Sequence, residues 1–230
     1  MTEPEPQPRI VVETNGPYRV EGDVRIVRTV VHKTERGEPY AWEDGPEFKR
    51  RKTVTLCRCG RSSRKPFCDS THETWDFDGT ERADRGPIAE RVDEWDGADV
   101  LLYDDLSLCS HHGFCKTVSR GVWDMISDED PAVREEALAM IRRCPSGRLA
   151  YAVKPDPEPV EEEVEPSIGI EPNASIVVRG NIPVVSEDGT PYEVRARQVL
   201  CRCGRSRNKP FCDGTHERVL FFDPAMPPDA

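Results

Sequence analysis

The hydrophobic positions of this chain fall in short, separated clusters. Asp99 to Tyr103 and Arg148 to Val153 read as two short, alternating strands. Between them, Asp130-Pro131 forms an N-cap and first-turn pair. Val133, Ala137, Met140 and Ile141 follow at helical spacing, so a helix is expected that stops at Cys144-Pro145. Two further β-branched stretches end alike, at Val20-Glu21-Gly22 and Val178-Arg179-Gly180. From Lys154 to Asn173 the periodicity is lost. Five prolines, seven acids and one lysine there predict an extended, solvated tether, with Glu161-Glu162-Glu163 as a solvated charge run. The segments Met1 to Pro8 and Asp223 to Ala230 are expected to be loose.

Composition narrows the function classes. Only 36% of the 230 residues are hydrophobic, so several small modules with external support are expected rather than one continuous core. The longest purely apolar run is Ala137 to Ile141, far short of the about 20 residues that a membrane helix needs, so no membrane role is expected. A net charge of −11 argues against nucleic-acid binding, which needs clustered cations. The start, Met1-Thr2-Glu3-Pro4-Glu5-Pro6, is acidic and proline-rich, unlike a signal peptide, and a cytoplasmic location is expected.

The nine cysteines change the picture most. In a reducing compartment, clustered cysteines read as metal or redox sites. Cys57, Cys59, Cys68 and His72 share their spacing with Cys201, Cys203, Cys212 and His216, and segments 57–72 and 201–216 are identical at 13 of 16 positions. The chain therefore contains an internal repeat. With Gly22 matched to Gly180, the first copy carries about 14 extra residues before its motif, expected as a loop around Thr34 to Gly45. Cys-x-Cys places two thiolates on one metal only through a tight backbone arc, with bridging sulfide completing the coordination. Zinc sites more often use Cys-x2-Cys. Three thiolates and one imidazole close the four terminal positions of a [2Fe-2S] cluster. Asp69 and Asp213 are placed to cap a helix start beside the histidine. A structural zinc-binding interaction module on the same ligands is the alternative.

Both segments resemble the CDGSH motif of the NEET iron–sulfur family. The second fits throughout, with Ser206, Pro210, Asp213, Gly214 and Thr215 in register. The first has Ser62, Pro66, Asp69 and Thr71, but Ser70 where the family has glycine, which puts the local backbone geometry of that site in question. The resemblance implies one [2Fe-2S] cluster on Cys57, Cys59, Cys68 and His72 and another on Cys201, Cys203, Cys212 and His216. The stretch from about 98 to 154 resembles the divergent single-cluster ferredoxin domains found with such motifs. It implies a [4Fe-4S] or [3Fe-4S] cluster on Cys109, Cys115 and Cys144, with His111 as the candidate fourth ligand and His112 behind it. His32 has no partner motif and reads as an ordinary surface residue.

The fold class expected is therefore α+β. Two small β-rich halves, 16–97 and 174–222, would form a pseudo-dimer within one monomeric chain. A ferredoxin-like domain, 98–154, and an acidic linker, 155–173, would lie between them. Each motif carries a local charge of +3, from Arg58, Arg61, Arg64 and Lys65 against Asp69, and from Arg202, Arg205, Arg207 and Lys209 against Asp213. Such residues offset the charge of an anionic cluster and form a basic rim for acidic partners. No phosphate loop and no Ser-His-Asp order is present, so the chain is expected to be no enzyme. It is read as an electron-transfer or cluster-transfer protein whose partners are redox or cluster-acceptor proteins.

Overall fold

The computed structural model describes residues 7–49, 53–161 and 163–223. The first part holds β1 (Arg9–Val12), β2 (Tyr18–Glu21), β3 (Arg25–Lys33), β4 (Pro39–Glu47), β5 (Thr53–Leu56) and one helical turn, α1 (Thr71–Thr74). The middle part holds β6 (Asp93–Asp96), β7 (Val100–Asp104), α2 (Val122–Met125), α3 (Pro131–Arg142) and β8 (Leu149–Val153). In the last part, β9 (Ser167–Ile170), β10 (Ile176–Arg179), β11 (Val184–Ser186), β12 (Arg197–Leu200) and α4 (Thr215–Arg218) repeat the first. The fold is mixed α+β, as expected, with strands dominant.

The repeat is built by exchange. One sheet runs β11-β1-β2-β5 and the other β12-β10-β9-β3-β4. In repeat terms β1 corresponds to β9 and β3 to β11, so the third strand of each copy joins the sheet of the other. Both exchanged strands pair parallel, Ile10 beside Val184 and Ile26 beside Ile168, while the remaining pairs are antiparallel. Neither copy can complete its sheet alone. The two copies consequently share one core, in which Ile10, Tyr18 and Leu56 pack with Ile168, Ile176 and Leu200.

The extra residues of the first copy do not form a loop. They lengthen β3 and add β4, turned at Thr34–Glu38, so that β3–β4 is a long hairpin on the edge of the second sheet. His32 on this hairpin is half exposed and pairs with Glu43, a surface role. The tether also departs from expectation. Ser167–Ile170 is buried at every position, flanked by β3 on one side and β10 on the other. Upstream, Val160 donates to Tyr151 O at 2.7 Å and Glu161 pairs with Arg197 at 2.7 Å, while Glu162 lies outside the described residues. A four-residue strand between prolines and acids has no periodicity of its own; burial is imposed by its two neighbours. The second half thus begins at Ser167 and the first at Arg9, both earlier than expected. Asp223, expected to be loose, is buried against Arg202, and 1–6 and 224–230 lie outside the described residues.

The middle domain has its own core. β6-β7-β8 form an antiparallel sheet, and α2 and α3 cover it through Leu102, Ile126, Ala137, Ile141, Leu149 and Tyr151. α3 starts where the sequence predicts: Asp130 accepts from Ala132 N at 2.9 Å and Pro131 opens the first turn. β6 was not anticipated, and it moves the start of this domain back to Asp93. Among the described residues no helix is long and apolar enough to cross a membrane.

Candidate metal centres

Each motif is a loop folded back on the strand before it. Cys57 N donates to Pro66 O at 2.8 Å and Cys68 N to Thr55 O at 2.9 Å; Cys201 and Cys212 repeat this with Pro210 and Val199, both at 2.8 Å. The motif serines close the loop, Ser62 Oγ to Phe67 O and Ser206 Oγ to Phe211 O, both at 2.7 Å. The motif aspartates staple it. Asp69 accepts from Ser63 N at 2.8 Å and Thr71 N at 3.1 Å, and Asp213 from Arg207 N and Thr215 N, both at 3.0 Å. The bonds from Thr71 and Ser63 hold the Asp69 carboxyl well below the usual range.

This folding brings the ligand candidates together in pairs. Cys57 Sγ lies 3.8 Å from Cys59 Sγ, and Cys201 Sγ lies 3.8 Å from Cys203 Sγ. Cys68 Sγ lies 3.5 Å from His72 Nδ1, and Cys212 Sγ lies 3.3 Å from His216 Nδ1. Two thiolates on one tetrahedral metal at about 2.3 Å are about 3.8 Å apart, and a thiolate and an imidazole are about 3.6 Å apart. Among the described residues no three Cys, His, Asp or Glu side chains converge on one ion. Ligands that meet two by two suit a binuclear cluster, in which each iron takes one pair and sulfide bridges the irons. In each Cys-x-Cys pair the bond from the second thiol holds the first low, Cys57 to about 6 and Cys201 to about 7. Burial pushes Cys212 well up, so loading this site with metal releases protons.

The two motifs touch across a pseudo-twofold axis. A Cβ on Gly60 would lie 2.5 Å from Cys203 O, and one on Gly204 would lie 2.5 Å from Cys59 O. Arg58 and Arg202, expected in a basic rim, are fully buried instead. Arg58 donates to the carbonyls of Gly16, Gly79 and Glu13, and Arg202 to those of Ala174 and Glu171 and to the Asp223 carboxylate. Lys65 and Lys209 donate inward to Ser62 O and Ser206 O. The exposed rim is Arg61, Arg64, Arg205 and Arg207, with Trp75 stacked 3.4 Å beneath the Arg61 guanidinium.

Ser70 answers the question raised by the sequence. It adopts the same left-handed backbone as Gly214, φ 65° against 74°, so the turn before the histidine is alike in both copies. The family model for the iron-binding zinc finger of CDGSH type matches residues 15–73 and 173–217, and the model for a divergent 4Fe-4S mono-cluster matches 95–154. The chain is a CDGSH-type iron–sulfur protein. No curated protein and no solved structure matches it.

In this CDGSH protein one cation serves two of the middle cysteines, Cys109 and Cys115. Arg148 Nη1 donates to Cys109 Sγ at 3.2 Å while its other nitrogens hold Asp104, Nη2 to Oδ2 at 2.6 Å. Burial raises the Cys115 thiol, Cys144 and Cys109 raise it further, and Arg148 opposes them. A half-buried guanidinium bonded to Cys109 and acting on Cys115 fits an anionic cluster. His112 uses both ring nitrogens, Nδ1 with Ser110 Oγ at 2.8 Å and Nε2 with Glu171 Oε2 at 2.9 Å. His111, in a left-handed conformation of φ 63°, lays its ring over Gly214 of the second motif. Cys144 Sγ lies 3.6 Å from Ser146 Oγ, and the fourth-ligand assignment of His111 gains no support from these contacts. Sequence reasoning missed Arg148, Glu171 and Trp42; only Arg148 had a signal, its place between Cys144 and the following strand.

Proposed function

We propose that this protein is a multi-cluster electron carrier. Cys57, Cys59, Cys68 and His72 hold one [2Fe-2S] cluster, and Cys201, Cys203, Cys212 and His216 hold a second. Cys109, Cys115 and Cys144 hold a [4Fe-4S] cluster whose fourth iron has no cysteine and is lost readily to give [3Fe-4S]. The observation that carries this reading is the pairing of ligands at 3.8 Å and at 3.3–3.5 Å in both motifs. It also weighs against the zinc alternative, since a structural zinc needs four ligands about one ion. The clusters supply one-electron chemistry. The chain supplies cations beside the thiolates, Arg148 at Cys109 and the buried Arg58 and Arg202 within the motifs, which offset cluster charge and raise reduction potential. Its partners are redox or cluster-acceptor proteins that dock against the exposed arginines. It acts as a monomer in a reducing compartment, with no substrate chemistry of its own.

Anaerobic titration with dithionite, followed by electron paramagnetic resonance, tests this. Uptake of about three electrons per chain, one per cluster, with signals of two [2Fe-2S] centres and one cubane, is expected. A chain that takes up no electrons contradicts it.

A further inference from the structure

The two motif centres have the same ligands and the same backbone, yet different surroundings. Cys212 and His216 are buried, whereas Cys68, His72 and Ser70 are partly or fully exposed. The helical turn after the first motif buries nothing, while the one after the second buries Thr215 and His216. What covers the second centre is the middle domain. A Cβ on Gly214 would lie 2.7 Å from His111 Cδ2, so glycine is required there, and Ser70 is free to stand at the equivalent position because no ring lies over it.

Three further contacts fix the cover. Glu171 Oε2 bonds His112 Nε2 at 2.9 Å and Ser175 Oγ at 3.0 Å, while the equivalent residue of the first copy, Glu13, turns to Arg19 at 2.9 Å. Trp42 packs on the cluster of Cys212, Val177 and Val199, stacks on Phe114 at 5.3 Å and donates to Arg143 O at 3.1 Å. Trp42 stands on β4, the strand that only the first copy possesses. The gap that remains is a cavity of about 210 Å³ that reaches His216 and is lined also by His111, His112, Glu171, Glu217 and Lys33.

We infer that the two CDGSH centres divide their roles. The first is the exchange site, open to outside partners and reagents; the second is an interior site covered by the middle domain through His111 and Glu171–His112, and by Trp42 of β4. The inference rests on the reading of both motifs as cluster sites. It adds that the insertion of β4 and the Gly214/Ser70 difference are two parts of one device, which makes a symmetric pair of centres unequal. An acceptor protein therefore meets the first centre, whose rim is Arg61 and Trp75, and not the second.

The experiment uses the loaded full chain, with EDTA as the probe and iodoacetamide to trap each thiol as it is released. Native mass spectrometry counts the clusters retained, and peptide mapping locates the alkylated cysteines. Loss of one [2Fe-2S] unit first is expected, with Cys57, Cys59 and Cys68 alkylated about tenfold or more faster than Cys201, Cys203 and Cys212, since the second set waits for a local opening. Equal rates, or earlier alkylation of the second set, overturn the inference. His111→Gly keeps the left-handed backbone and removes the ring. It should speed alkylation of the second set about tenfold and leave the first unchanged; an unchanged second set overturns the role of His111. The wild-type order alone decides the main claim should that variant not fold. Failure of the cluster reading itself shows at time zero, as zinc in place of iron and sulfide.

Discussion

Ser70 and Gly214 share one left-handed backbone, and the His111 ring decides which of the two positions tolerates a side chain. A residue with a Cβ in this conformation costs about 1 kcal/mol, and a contact inside 3.0 Å adds the displacement of the ring. Gly214→Ser should therefore destabilise the chain by about 1–3 kcal/mol. Ser70→Gly should change stability by less than about 1 kcal/mol. Guanidinium denaturation of the loaded protein measures both, and equal losses would contradict the difference in environment.

Arg58 and Arg202 are the largest fully buried side chains, and their partners differ. Arg58→Met takes the arginine donor from Gly16 O and Gly79 O, while Glu13 O keeps Gly16 N, at about 1–3 kcal/mol for each carbonyl left bare that water does not reach. Arg202→Met also removes the buried ion pair with the Asp223 carboxylate, and breaking such a buried pair from one side costs about 3–5 kcal/mol. Arg202→Met should thus be the worse of the two, and Arg202→Met with Asp223→Asn should recover part of the loss. The unfolding midpoints of the three variants check this.

The pseudo-twofold axis makes a symmetric prediction. Gly60→Ala and Gly204→Ala each drive a methyl against a backbone carbonyl that cannot turn away. Each should lower stability by about 1–3 kcal/mol, by similar amounts, and together by less than the sum, because the first already parts the motifs. Strict additivity in the double variant would show that the two loops do not share one interface.

Arg148 should set the potential of the middle cluster. Arg148→Lys keeps a cation for Asp104 but loses the forked geometry that also reaches Cys109. Its cluster should have a lower potential than wild type, since a thiolate without its donor is more electron-rich. Potentiometric titration followed by electron paramagnetic resonance reads this, with the two [2Fe-2S] potentials as internal controls. An unchanged potential would place Arg148 outside the cluster's field.

The motifs were legible because a cluster demands fixed ligand spacing, and Cys57 to His72 keeps its spacing wherever the loop sits in the chain. The pseudo-dimer was legible through the repeat. The exchange of β3 and β11 was not, since parallel pairing between distant strands leaves no local trace in either. Ser167–Ile170 looked like linker because its burial comes from neighbours about 140 residues and about 10 residues away, although extending the Gly22–Gly180 match upstream aligns it with Arg9–Val12. His111 was read as a ligand because it stands between two cysteines. What the structure adds is the contact of its ring with the Gly214 backbone across a domain interface, which spacing within one segment does not report.

Iron, acid-labile sulfide and zinc analysis of the anaerobically purified chain tests the central claim most directly. About eight irons and about eight sulfides per chain are expected, two of each from either motif and four of each from the middle domain, with no zinc. Cys68→Ser and Cys212→Ser should each remove about two irons and two sulfides. About one zinc per motif without sulfide would contradict the account, and would make the paired ligands a structural site instead.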